Sequence, residues 1–385
     1  MAVDIADPRL PVAPNAAACA PLVDLAAESL AAPTASRAAQ IDGALAHALA
    51  ERLASGQALL LADTLAAAPS VAIARVLWRR LIDAWALASR PAAGEGVSAA
   101  LFALPLVIVV GSPGAADGRP TPRCSARLGD TDRLAAILRE HRALGGSQTF
   151  ALASALVAAD AIEVARLSAL LAWQKLEGAA VAHDLPPAPI EVAPGGQSVH
   201  LRFLLGSALV AADGDALAAS DSCGWAMPFA QELARQLALP ELSVLALPRP
   251  PQSPPSALQQ GRAAQREVGA QLFASNAIRT LRAQVGEPVA VISAHRAAAA
   301  PGGGELRLSL SSPFDPRQAE GFRCPLFPTD RAGDVATMLV DLLHDCRVAD
   351  VRILPGVHAD RDPQTGLTLL FKPDAAAVVE QALLH

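Results

Sequence analysis

The run VSAALFALPLVIVV, Val97 to Val110, limits the possible folds of this chain more than any other segment. It carries no charge, holds Pro105 in its middle, and has to be buried. A helix that crosses a bilayer needs roughly 20 predominantly apolar residues, so the run is read as a buried strand or strand pair. Burying it takes a layered core. The chain has the material for one, with 52% hydrophobic and 18% charged residues over 385 positions, a balance typical of globular proteins. Much of the positive mean hydropathy of +0.33 comes from alanine, which is small and only mildly apolar.

Length favours two domains, with one large α/β domain as the alternative. The expected class is α/β or α+β, a two-lobed layered fold with helices packed on mixed β-sheet. Residues 1–35 alternate Pro, Ala and Asp without a sustained period, and are expected to form a mobile N-terminal tail or a loosely docked arm. A helix-rich α/β domain is expected over 36–183. The segment HDLPPAPIEVAPGGQ supplies a Pro/Gly linker at 184–197, and an α+β domain follows over 198–385.

Within the first domain, Ile41, Leu45, Ala48 and Leu53 recur at near-helical spacing. Leu59-Leu60-Leu61 reads as a short strand. Residues 71–89 read as a helix with Val76, Trp78, Leu81, Ile82, Trp85 and Leu87 on its apolar face, and Arg79, Arg80 and Asp83 opposite. Asp130 or Asp132 can cap a helix running to about Leu144. Asp160 with Glu163 has the spacing of a capping box, which predicts a helix to about Trp173.

The second domain reads as strands at Val199–Leu205 and Leu242–Leu247, with a helix at Trp225–Leu237 between them. The prolines between Pro248 and Pro255 then form a stiff connection, and Ser256 with Gln259 has capping-box spacing. A long amphipathic helix follows, with Val268, Leu272, Ile278, Leu281 and Val285 as its apolar stripe. Strands at Val289–Ser293 and Glu305–Ser311, a helix at about Gly333–Leu343, and strands at Val351–Leu354 and Gly366–Phe371 give this part a β-β-α-β-β order. That order suggests a sheet with helices packed on one face.

Composition narrows the compartment and the partners. The N-terminus carries Asp4 and Asp7 where an export signal would carry basic residues. The five cysteines are odd in number and form no CxxC pair, which fits reduced thiols in a cytoplasm. A net charge of −6 argues against a phosphate-neutralising surface. Nine Phe, four Trp and no Tyr leave little for base-stacking platforms, so nucleic acid is an unlikely partner. The alanine and arginine bias is the kind that GC-rich bacterial genomes produce.

Four places could carry chemistry. Cys223 precedes the helix at Trp225, where backbone amides can lower a thiol pKa and create a nucleophile; the alternative is an inert small residue. His295 closes a strand and could act as a general base, with Asp315 or Asp221 orienting it. A histidine satisfied at a strand end is the bland alternative. His358, Asp360 and Asp362 offer an imidazole and two carboxylates to a divalent metal, in a segment that also reads as a solvated hairpin loop. Arg262, Arg266, Arg279 and Arg282 mark one face of the long helix, available to a partner or simply solvated.

The glycine-rich segment at Gly111–Gly118 is followed by Pro120 and Pro122 rather than by a helix, so it lacks the dinucleotide fingerprint. No motif points to a cofactor, and the cofactor is unknown at this stage. The expected function is therefore a soluble bacterial interaction protein, such as an assembly or regulatory factor, with a protein partner and a possible homodimer. The alternatives are a hydrolase or transferase with an inter-lobe cleft near His295, and a small-molecule sensor.

Overall fold

The structure is a computed structural model. It describes residues 3, 5–8, 16–89, 97–111, 123–144, 149–177, 186–191, 197–211, 224–239, 241–284, 286–296, 304–313 and 319–358. The chain divides into two compact units, a first of residues 24–62 and 79–265 and a second of residues 1–23, 63–78 and 266–385. The fold is α+β. No helix among the described residues is long and apolar enough to cross a membrane.

The N-terminal segment holds a helix, α1 (Ala16–Ala31), rather than a tail. Cys19, Leu22 and Ala26 are buried along it at helical spacing, an alanine-rich stripe too weakly apolar to stand out in the sequence. Ser29 Oγ donates to Asp42 Oδ1 at 2.5 Å on α2 (Ala35–Ala54), whose Thr34 N-cap accepts the Arg37 amide. Leu59-Leu60-Leu61 lies in another helix, α3 (Ala58–Ala66). Ala58, Leu61 and Leu65 are buried there and Leu59 is exposed, a helical alternation in a segment of strong helix formers. In α4 (Val71–Ala88) the buried stripe is Ala74, Leu77, Trp78, Leu81, Ala84 and Trp85, while Leu87 is exposed.

The first unit is organised on the antiparallel sheet β3-β5-β1-β6. Its spine is β1 (Val97–Gly111), the apolar run, paired along its whole length with β5 (Gln197–Ala211) from Val97↔Ala211 to Gly111↔Gln197. It is one strand, and its proline sits where no ladder bond is lost. Ala103 and Gly111 point their amides away from β5, to Gln252 O at 2.8 Å and Glu241 O at 3.0 Å. Pro105 has the same parity, so its missing N–H faces that side too, beyond Ala246 at the end of β6 (Leu242–Ala246). On the far side of β5 lies β3 (Phe150–Ala158). A two-residue pair, β2 (Arg123–Cys124) with β4 (Ile190–Glu191), stands apart from this sheet.

Helix α5 (Thr131–Glu140) is capped by Asp130 and buries Leu134, Ile137 and Leu138. It packs on β3 and on α7 (Ala226–Leu237), which packs on β6. Helix α6 (Leu167–Glu177) packs on β1 and α2. It starts later than expected. Residues 159–162 and 164–166 form two 3-10 turns separated by Glu163, which is extended (φ −63°, ψ 159°). The capping box fails because the Glu163 carboxylate takes Arg262 Nη2 at 2.8 Å instead of reaching back to Asp160.

The long helix is α8 (Pro254–Gln284). Ser253, not Ser256, supplies its first acceptor, to the Ala257 amide at 2.9 Å. Pro254 and Pro255 then occupy the first turn, where a missing N–H costs nothing. A Cβ on Gly261 would lie 2.9 Å from both Leu201 Cδ1 and Phe203 Cζ, so glycine lets this helix approach β5 closely.

The second unit carries the sheet β10-β7-β8-β9. Strands β7 (Val289–Arg296), β8 (Gly304–Ser311) and β9 (Ala319–Pro325) form an antiparallel meander. After α9 (Ala332–Asp345), β10 (Asp350–His358) returns parallel to β7. The described order is thus β-β-β-α-β. Strand β9 escaped sequence reading because AEGFRCP mixes charge, Gly and Pro, as an edge strand tolerates; residues 366–371 lie outside the described residues. The residues of α8 beyond 265 and those of α9 cover one face of the sheet. That core joins Ala270, Ala274 and Ile278 of α8 and Val335 and Leu339 of α9 to Ile292, Leu306, Leu308 and Leu310. Val268 and Leu272, expected in the α8 stripe, are half-buried, and smaller alanines take the contact. Val3 and Ile5 pack against the same core, and the Val3 amide donates to Thr337 Oγ1 at 3.3 Å, so these N-terminal residues are docked.

Candidate functional site

Strand alternation puts Ser293 and His295 of β7, with Glu305, Arg307, Ser309 and Ser311 of β8, on the sheet face opposite the α8 and α9 core. Register pairs His295 with Glu305 and Ser293 with Arg307. All six side chains are buried. Ser293 Oγ lies 2.8 Å from His295 Nε2, and Arg307 Nε donates to Glu305 Oε1 at 2.6 Å. His358 is the register partner of His295 on β10, with ring centroids 5.7 Å apart.

A serine hydroxyl on the Nε2 of histidine is the atom pairing of a nucleophile and its base. Here the pair is sealed, Ser293 being 5% and His295 1% exposed. The carboxylate opposite His295 is Glu305, which the sequence reading missed, and it is committed to Arg307. The signal was the spacing of GELRLSLS, with its charged and hydroxyl side chains on alternate positions.

Cys223, Asp360 and Asp362 lie outside the described residues, as do Asp221 and Asp315. No group of three or more His, Cys, Asp or Glu able to hold a metal occurs among the described residues. Burial pushes the Cys324 thiol up to about 12, which leaves it inert at neutral pH. On α8, Arg262 is tied to Glu163, and the largely buried Arg266 pairs with Asp330. Arg282 holds Glu287 at 2.9 Å and the Arg347 carbonyl at 3.0 Å. Arg279 is exposed and donates to Asn276 within its own helix.

A second site, one that no motif indicated, lies in the first unit. The two 3-10 turns carry Asp160 and Arg166, and α6 presents Leu170 and Trp173 on one face. Together with Pro186 and Pro187 they surround a cavity of about 570 Å³. The wall at 186–189 is held in place. The Ala188 amide donates to Leu156 O at 2.9 Å, and Arg202 of β5 reaches the carbonyls of Ala188 at 3.1 Å and Pro189 at 2.5 Å. Burial lowers the Arg202 pKa, and the charges of Asp160 and Glu191 oppose that shift. Among the described residues the lining is mainly apolar, with the aromatic ring of Trp173 and the charged side chains of Asp160 and Arg166. The capping-box spacing puts Asp160 and Trp173 at the two ends of one helix, and the Pro/Gly composition puts residues 184–197 in a linker. Their adjacency across the chain is what makes the cavity.

Two half-buried histidines give a pH dependence. Burial lowers the pKa of His358, and burial followed by the charge of Arg202 lowers that of His200, whose Nε2 lies 2.8 Å from Glu191 O. Native pKa values below 6.5 mean that the unfolded chain binds more protons as pH falls through that value. Stability is full above about pH 6.5 and declines below it. The urea midpoint is expected to drop between pH 7.5 and 5.5, and to drop less in His200→Gln and His358→Gln; an equal drop in both variants would contradict the assignment.

Comparison with protein-family models, with curated proteins and with solved structures produced no match to this chain.

Proposed function

We propose that this protein binds a small organic molecule in the cavity between α6 and residues 186–188, as a sensor or binding protein. One observation carries the reading: a preformed cavity of about 570 Å³ with an apolar, aromatic lining and few polar groups, which is the size and character of known small-molecule sites. The fixing of its wall by Arg202 supports it, since a wall already ordered loses little entropy when a ligand enters. The thiols of Cys19, Cys124, Cys324 and Cys346 are free, in keeping with a reducing, cytoplasmic setting. The arginines of α8 offer less to a protein partner than their sequence spacing suggests, because Arg262, Arg266 and Arg282 are spent on internal contacts.

The test uses the neutral fluorophore N-phenyl-1-naphthylamine with the full chain. Saturable binding at one site per chain is expected, with loss of at least about tenfold in affinity (about 1.4 kcal/mol) when Ala169→Trp fills the cavity. A circular dichroism melt shows whether that variant remains folded. Absence of saturable binding, or equal binding by folded Ala169→Trp, would overturn the reading.

A further inference from the structure

We infer that the cavity selects flat aromatic molecules over saturated ones of the same size, and that Trp173 makes the selection; this rests on the small-molecule reading above. The four tryptophans of the chain are not equivalent. Trp78, Trp85 and Trp225 are 2%, 3% and 1% exposed, and two of them meet a phenylalanine edge-on, Trp78 on Phe327 and Trp225 on Phe229. Trp173 is half-buried, lines the cavity, and meets no aromatic ring among the described residues. Residues 178–185, which join α6 to Pro186 along the chain, hold no Phe, Tyr or Trp.

A helical side chain leans over the residues three and four positions earlier. For Trp173 these are Leu170 and Ala169, both in the lining, and Ala169 offers only a methyl, which leaves space over the indole. The wall at 186–188 has no backbone amide to give a ligand. Pro186 and Pro187 lack the N–H, and the Ala188 amide is spent on Leu156 O. The Ala188 carbonyl is taken by Arg202 Nε. The two proline rings therefore meet a ligand through C–H surface, and the indole meets it through a π face. A flat ring gains stacking on that face beyond what burial of its area supplies, and a saturated ring of the same size does not. The complementary ligand carries a flat ring system.

Isothermal titration of the full chain with 2-naphthylmethanol and with its decahydro analogue tests this. Both are neutral alcohols with the same carbon skeleton, so the charged side chains around the cavity bear on the two alike. The wild-type chain is expected to bind the aromatic alcohol about fivefold more tightly (about 1 kcal/mol). Trp173→Leu is expected to remove most of that preference and leave the saturated alcohol within about twofold, while Trp173→Phe, which keeps a ring, retains about half of it. Melts followed by circular dichroism show whether the variants fold, and the wild-type comparison decides even if Trp173→Leu does not. Equal wild-type affinities, a tighter saturated alcohol, or a folded Trp173→Leu that keeps the preference would overturn the aromatic assignment while the small-molecule reading stands. So would failure of the aromatic alcohol to bind a chain that binds N-phenyl-1-naphthylamine. If none of the three compounds binds saturably, or all bind unchanged in folded Ala169→Trp, the small-molecule reading fails first and the aromatic assignment with it.

Discussion

Replacing Glu305 by Ala is expected to destabilise the protein by about 3–5 kcal/mol. Arg307 is fully buried, and its Nε donates to Glu305 Oε1 at 2.6 Å. Removing the carboxylate takes away the countercharge held in contact with that guanidinium while leaving the cation in a medium where charge is costly. Arg323, whose Nε stands 4.0 Å from the same carboxylate on a half-exposed side chain, is a second cation and cannot supply the missing negative charge. The joint variant Glu305→Leu with Arg307→Met removes both charges at similar volume and is expected to recover most of the loss, as replaced buried ion pairs commonly do. Equilibrium urea unfolding of the three chains measures this. A loss below about 1 kcal/mol in Glu305→Ala, the range of exposed ion pairs, would show that the pair does not hold the polar face of this sheet.

Gly206→Ala is expected to cost about 3 kcal/mol, the upper end of overpacking. Gly206 pairs with Phe102 across the two central strands of the first unit, and the ring lies over the glycine. A Cβ added there would sit 2.2 Å from Cζ, 2.6 Å from Cε2 and 2.8 Å from Cε1. The ring has little room to retreat, since Phe102 is completely buried and meets Phe150 edge-on at 6.3 Å between centroids. Separation of β1 from β5 would relieve the clash at the expense of their ladder. Combining Gly206→Ala with Phe102→Leu removes the colliding atoms, so the double variant is expected to be more stable than the sum of the two single losses predicts. Additive losses in the urea midpoints would contradict the packing argument.

The parts of this chain that were legible in its sequence are those whose burial repeats within one segment. The run at 97–110 became the spine strand of the first unit, the pattern after Pro255 became α8, and the alternations at 289–293 and 305–311 became β7 and β8. Local periodicity reports which face of an element leaves water. Where the apolar signal was carried by alanine it faded, which is why α1 read as a tail and why the α8 stripe was assigned to Val268 and Leu272 rather than to Ala270 and Ala274. The leucines at 59–61 fit either period, and a strand needs a neighbour to pair with, which a short segment does not reveal.

The candidate sites depend on a different kind of information. His295 was recognisable as a titratable group ending a strand, but its neighbour Glu305 follows from the β7 to β8 register, which no single segment contains. The failure of the Asp160–Glu163 capping box turns on Arg262, 99 positions away, taking the carboxylate. One wall of the cavity follows residues 188 and 189, whose carbonyls are held by Arg202 of β5. Sequence alone thus determined the buried runs whose apolar signal is strong within one segment, as in β1, β7 and β8, because hydrophobic periodicity is a property of neighbours along the chain. The tertiary structure alone decided which polar groups meet, because hydrogen bonds and ion pairs form between side chains that only folding brings within about 3 Å.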